Sequence, residues 1–197
     1  EVGAAFSDMG IFQSTTNVNN ELISLQSPAV MLDVVKRLHL DVNYAVDGTF
    51  YRKTLYGTSL PLIIQFEGLA DNEDVSLTVT PAAEDKTYLL SDFMKDGEAV
   101  GQDSVFHAVE GEKVVTPVGT LSVHLSPYVT DPLSEPVYVT RTNLYATTTR
   151  YAANLSVELA NKQASVLNLT FKDVSIQRAE ELLNTLIAVY NENWVKD

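Results

Sequence analysis

The sequence predicts an α+β fold in which helices pack on a mixed sheet and an antiparallel β lobe is inserted between them. Three observations predict it. Apolar residues recur at helical spacing near both ends of the chain, after Ser27 and again after Ser175. From about Val42 to Val139 the apolar residues instead alternate with period two. Turn formers break that alternating stretch at short intervals, as hairpins require. With 197 residues and 45% hydrophobic content, the chain suits one domain with a sizeable core. We expect one domain over residues 1–197, with the lobe at about 49–128.

The first twenty residues are polar, rich in Gly, Ser, Thr and Asn, and read as a loop or mobile arm. Asn20 is placed to cap a short helix carrying Leu22, Ile23 and Leu25. A clear helix starts at Ser27-Pro28, where serine can cap orphan amides and proline gives up an N–H that has no partner. Its apolar stripe is Val30, Val34, Val35 and Leu38. In the lobe, Leu62, Ile64 and Phe66 form one alternating run. Val75, Leu77 and Val79 form another, and Leu121, Val123 and Leu125 a third. Asp47-Gly48, Tyr56-Gly57, Asp71 to Asp74, Asp96-Gly97 and Val118-Gly119 supply the turns. Val137 and Val139 suit a short strand. Leu144, Thr148, Tyr151 and Leu155 share a helical face, with Thr142 a cap. A hairpin follows, with strands Leu155–Ala160 and Ala164–Phe171 turning at Asn161-Lys162-Gln163. The closing helix carries Ile176, Ala179, Leu183, Leu186, Ile187, Tyr190 and Trp194 on its apolar face, with Gln177, Glu180, Glu181 and Asn184 towards water.

Charge and composition narrow the function. Thirteen Lys plus Arg stand against 26 Asp plus Glu, for a formal charge of -13. Such a surface repels phosphate backbones and anionic headgroups, so nucleic acid is not an expected partner. The absence of cysteine excludes disulfides, thiolate metal sites and cysteine nucleophiles. A membrane-spanning helix needs about 20 mostly apolar residues. The longest apolar run, Leu60 to Phe66, holds Pro61 and Gln65 and reads as a strand. The chain starts at Glu1 and stops at Asp197 just after a helix, which suggests a piece of a longer protein whose membrane anchors lie outside it.

Each residue group that could carry chemistry also has a plain structural reading. His39, His107 and His124 are not at metal-ligand spacing and read as structural. Asp71-Asn72-Glu73-Asp74, and likewise Asp41, Asn43 and Asp47-Gly48, lack the alternation of a calcium loop and read as polar turns. There is no Gly-x-Ser-x-Gly elbow and no phosphate-cradling glycine loop. Asn154-Leu155-Ser156 and Asn168-Leu169-Thr170 match the glycosylation triplet by chance, since both fall on the hairpin. Phe50, Tyr51, Arg52 and Lys53 could meet a glycan or a partner subunit, but alternating strand residues with exposed charges need no function, and that reading is favoured. No catalytic, cofactor-binding or metal residue is assigned, and no cofactor is expected.

Two segments carry a resemblance. Leu25-Gln26-Ser27-Pro28-Ala29-Val30-Met31-Leu32-Asp33-Val34-Val35 resembles the segment after the first strand in chain-length determinant proteins of the Wzz type. From Thr142 to Val195 the order is helix, strand, Val166-Leu167-Asn168-Leu169-Thr170-Phe171 as a second strand, then Asp173-Val174-Ser175 leading into Ala179-Glu180-Glu181-Leu182-Leu183-Asn184. This is similar to the family's strand, acidic turn and Ala-, Leu- and Asn-rich helix. The nearest likeness is to the periplasmic part of bacterial tyrosine autokinases that act as polysaccharide co-polymerases, of the long-insertion type found in Bacteroides-like organisms. It rests on hydrophobic pattern and element order over the greater part of the chain. The β lobe departs from it most, and the family's strand after the first membrane span is not evident in Glu1 to Phe12.

The resemblance implies a non-catalytic periplasmic domain held between two inner-membrane helices, with a cytoplasmic tyrosine kinase further along the polypeptide. It also implies homo-oligomeric rings that work with the polysaccharide polymerase and export machinery, with glycan as a further partner. The competing expectation is a stand-alone glycan-binding or glycan-processing module. Hydrophobic spans just outside both ends of this chain would separate the two.

Overall fold

A computed structural model describes residues 18–131, 133–161 and 166–196, with the backbone alone for residues 194–196. The chain divides into two compact units. One spans His39–Thr147, and the other combines residues up to Leu38 with those from Thr148 onward.

The first of these is a β unit. Its larger sheet has seven strands in the order β2 (Arg52–Leu55), β1 (Val42–Asp47), β10 (Val137–Arg141), β4 (Val75–Pro81), β5 (Thr87–Lys95), β6 (Glu98–Ala99), with β7 (Phe106–Val109) also on β5. A second sheet orders β3 (Leu62–Glu67), β9 (Gly119–Leu125), β8 (Lys113–Thr116). Alternation sends Leu62 and Ile64 of β3, and Leu121 and Val123 of β9, into one core with Tyr44, Val46, Leu77, Val79, Val137 and Val139 of the larger sheet. Full burial of each Val or Leu is worth about 1.5–3 kcal/mol. At the β3 edge, the Ile64 N–H donates to the buried Tyr44 hydroxyl at 2.9 Å, which ties the two sheets through a backbone group that β9 does not use.

Strand β5 breaks the period of two. Ser76 pairs with Met94 but Thr78 pairs with Ser91, so β5 carries an extra residue opposite Leu77. Asp92 absorbs it at φ 54°, in the left-handed region that Asp tolerates. The bulge turns the exposed Asp92 out and brings Phe93 into the core, edge-on to Phe106 with ring centroids 5.5 Å apart.

The second unit holds α1 (18–25), α2 (Pro28–Arg37), α4 (Ile176–Lys196) and a two-stranded hairpin of β11 (Leu155–Leu159) and β12 (Leu167–Phe171). α3 (Leu144–Asn154) begins in the β unit and ends in this one. α2 packs on α4. Val30, Met31, Val34 and Val35 are buried on α2, and Leu182, Leu186 and Val189 on α4. At the rim, the Arg37 guanidinium bridges Asp33 and Glu192.

The expected mixed sheet is overturned. Every strand pair among the described residues is antiparallel, and strand exceeds helix at 37% against 29%. Short turns join β1 to β2, β4 to β5, β5 to β6 and β8 to β9, leaving no room for the crossover of a dozen or more residues that parallel neighbours need. Within the helical unit α2 packs on α4, and α4 also meets β12 of the hairpin.

Smaller expectations also change. Residues 18–25 are helical, so Asn20 lies inside α1 and does not cap it, while the rest of the expected arm lies outside the described residues. Ser27 sits at the α2 N-cap but its hydroxyl makes no capping bond. α3 is capped by Asn143, not Thr142: the Asn143 Oδ1 accepts from the Tyr145 and Ala146 N–H groups at 2.9 and 3.1 Å. Leu155 belongs to β11. On α4 the buried stripe is Leu182, Leu186 and Val189, whereas Ile176 is 79% exposed. The Trp194 side chain, and Lys162 and Gln163 of the hairpin turn, lie outside what is described.

Candidate functional site

The β1–β2 hairpin exposes the largest aromatic surface among the described residues. Gly48 starts its turn: the Gly48 N–H donates to the Tyr51 carbonyl at 3.0 Å, and a Cβ on Gly48 would run into that same carbonyl. Only glycine permits so close an approach, and the closure leaves Phe50 92% and Tyr51 78% exposed. Behind the tip, the Arg52 guanidinium lies 3.5 Å from the centroid of the Tyr138 ring. The Tyr138 hydroxyl donates to Asp47 Oδ2 at 2.7 Å, and Asp47 lies 3.7 Å from Arg52 Nε. The Asp47 bond, then burial, holds the Tyr138 hydroxyl above its ordinary pKa. Lys53, on the opposite face of β2, is exposed and makes no ion pair among the described residues.

The acidic turn is organised around Arg141, which the sequence reading did not single out. The Arg141 side chain is buried at the end of β10. Its Nη1 donates to the Ala70 and Glu73 carbonyls at 2.6 and 2.7 Å, and its Nε to Asp41 Oδ2 at 3.3 Å. Asp74 accepts from the Asn143 N–H, the Asp71 carbonyl accepts from the Leu144 N–H, and Glu73 pairs with Lys95 at 2.9 Å. The Lys95 hydrogen bond, followed by the Ala70 N–H, holds the Glu73 carboxyl below its ordinary pKa. Asp41, Asp71, Glu73 and Asp74 therefore bind protein donors and fasten the β3–β4 loop to the start of α3. A long-range clamp of this kind leaves no local spacing for sequence reasoning to find.

The histidines lie apart. His39 and His107 are exposed, and His124 on β9 has its Nε2 2.8 Å from the Ser122 hydroxyl. No group of three or more His, Asp or Glu among the described residues could hold a metal ion.

In the helical unit, Asp173 and Arg178 form a buried pair at 2.6 Å. Asp173 also accepts the Ser175 N–H at 2.9 Å, and the Ser175 hydroxyl accepts the Arg178 N–H at 3.2 Å, which caps α4. The guanidinium is 5.9 Å from the centroid of the Tyr151 ring, which stacks on Phe171 at 5.8 Å. Burial alone would raise the Asp173 carboxyl, but the bonds from Arg178 and the Ser175 N–H outweigh it and hold its pKa below the ordinary value. The Asp173-Val174-Ser175 turn picked out in the sequence is thus the start signal of α4. Asn154 closes α3 and Asn168 is exposed on β12, so both triplets fall on regular elements.

No described helix is long and apolar enough to cross a membrane. No known protein family matches the chain, and no curated protein matches it.

Proposed function

We propose that this chain is a non-catalytic periplasmic domain of an inner-membrane polysaccharide co-polymerase of the tyrosine-autokinase type. In this reading it regulates the chain length and export of a capsular or extracellular polysaccharide as a homo-oligomer, with the kinase elsewhere on the polypeptide. The observation that carries the reading is the pairing of the helices nearest the two ends of the described residues. α2 packs on α4, Arg37 reaches Glu192, and Tyr190 is held above its ordinary pKa by burial and then by the charge of Glu21 on α1. The N-terminal and C-terminal helices thus share one unit, with the β unit of residues 39–147 between them in sequence. Such a pairing suits a domain anchored at both ends on one membrane face, where the two ends of the chain lie near one another. The resemblance of 25–35 and 142–195 to the chain-length determinants adds the biological setting.

Two measurements test it. The full-length gene should encode hydrophobic spans just outside both ends of this sequence, and their absence overturns the reading. In a polysaccharide-producing host, separating α2 from α4 with Leu186→Asp in the full-length protein should shift polymer length on gels, while an unchanged distribution in a membrane-inserted variant counts against it.

A further inference from the structure

We propose that the Asp96-Gly97 turn between β5 and β6 is a site of spontaneous modification, where aspartate converts to isoaspartate through a cyclic succinimide. This chemistry does not depend on the function proposed above. It needs an aspartate side chain, a small residue after it, and a backbone N–H on that residue free to give up its proton. Asp47-Gly48, Asp96-Gly97 and Asp103-Ser104 meet the first two demands, and no Asn-Gly pair occurs. The third demand separates them. The Gly48 N–H donates to the Tyr51 carbonyl at 3.0 Å, and the Ser104 N–H to the Gly101 carbonyl at 2.9 Å. The Gly97 N–H has no partner among the described residues.

The same turn holds the carboxyl group ready. The Asp74 N–H donates to Asp96 Oδ1 at 2.9 Å, and the Asp96 N–H donates to the Asp74 carbonyl at 2.8 Å. A donor on Oδ1 draws electron density from Cγ and stabilises the oxyanion that forms as nitrogen adds there. Attack requires Asp96 to leave its turn conformation, with φ 49° at Asp96 and 83° at Gly97. Rotation about the Asp96 Cα–C bond carries the Gly97 nitrogen towards Cγ while both bonds to Asp74 stay in place. That opening costs little, because β6 is held to β5 only through Met94–Ala99 and Lys95–Glu98, and residues 96–99 are exposed.

The Gly97 nitrogen bonds to Cγ, and its proton leaves with the carboxyl hydroxyl as water. Water then adds to one of the two ring carbonyls. Opening at Cγ restores aspartate, whereas opening at the former main-chain carbonyl leaves the chain running through Cβ and Cγ. Composition and charge are unchanged, but the turn gains one backbone atom and the carboxylate moves onto Cα. The Oδ1 bond to Asp74 is lost with the two-residue turn, which loosens the loop that Asp74 fastens to the Asn143 N–H.

The test ages the folded chain for weeks in warm, mildly acidic buffer, with the same chain unfolded in urea alongside. Peptide mapping with electron-transfer fragmentation, which tells isoaspartate from aspartate, reads each position. In the folded chain isoaspartate should accumulate at least tenfold faster at Asp96 than at Asp47 or Asp103. In urea Asp47 and Asp96 should convert at similar rates, since both precede glycine. Folded-state conversion at Asp47 as fast as at Asp96, or none at Asp96 where the urea sample shows it, overturns the proposal. In heavy-oxygen water the product should carry solvent oxygen, and product without it overturns the cyclic route. The converted fraction, separated by chromatography, should unfold at lower urea than the parent, and an unchanged midpoint overturns the coupling to Asp74.

Discussion

Replacing Tyr44 with phenylalanine isolates one hydrogen bond between the two sheets of the β unit. The ring is buried and its hydroxyl accepts the Ile64 N–H at 2.9 Å, so Tyr44→Phe keeps the apolar packing and orphans one buried donor. An unsatisfied buried group costs about 1–3 kcal/mol. For a chain of this size each kcal/mol moves the midpoint by about 2–4 °C. The substitution also carries a pH signature. Burial pushes the Tyr44 hydroxyl up to about 12. An unfolded tyrosine titrates near about 10, so the native state holds this proton more tightly. The stabilisation is therefore complete below about pH 10 and is lost as pH rises through about 12, a forfeit of roughly 2–3 kcal/mol that the phenylalanine variant does not suffer. Urea unfolding of both proteins along a pH series should show a wild-type advantage near neutrality that narrows or reverses at the alkaline end. A variant as stable as wild type at neutral pH would refute the donor argument. A gap that stays constant to about pH 12 would refute the linkage argument.

Four further outcomes follow from the packing and the charges. Leu186→Ala on the buried face of α4 should cost about 2–5 kcal/mol in denaturant unfolding, whereas Ile176→Ala, at a residue 79% exposed, should change stability by less than about 0.5 kcal/mol. Arg141→Met strands a largely buried Asp41 and two loop carbonyls, and should cost about 3–5 kcal/mol by the same assay. Asp173→Asn should be destabilising at neutral pH. Because the folded pKa of Asp173 is depressed, its contribution is present above the unfolded value of about 3.9 and fades as pH falls through the folded one, so the two stability curves should converge in acid. The isolated chain, with a formal charge of -13, should be mostly monomeric at low salt and associate as salt or concentration rises, and a stable ring at low salt in light scattering would refute this.

What the sequence revealed and what it hid divide along the range of the interactions involved. Period-two alternation is a local signal, so β3, β4, β9 and the β11–β12 pair were legible from residue type alone. The β5 strand was hidden because its bulge at Asp92 shifts the phase, and a strict period reads Asp92 where the core holds Phe93. On α4 the helical spacing puts Leu183 and Ile187 inward. Apolar residues at 182, 183, 186, 187 and 189 fit two adjacent faces, and the packing of α2 rather than the pattern selects the face with Leu182, Leu186 and Val189. Arg141 could not be singled out by any spacing rule, since its partners Asp41 and Glu73 lie far from it in sequence. The candidate site falls between these cases. Phe50, Tyr51, Arg52 and Lys53 are visible as a cluster, but the sequence favours reading them as ordinary strand residues. The turn adds what residue type could not: Gly48 closes on the Tyr51 carbonyl, and Phe50 and Tyr51 are left exposed. Leaving two such side chains in water forgoes burial worth about 1.5–3 kcal/mol for the phenylalanine alone, so long-range turn geometry and not local residue type sets their exposure.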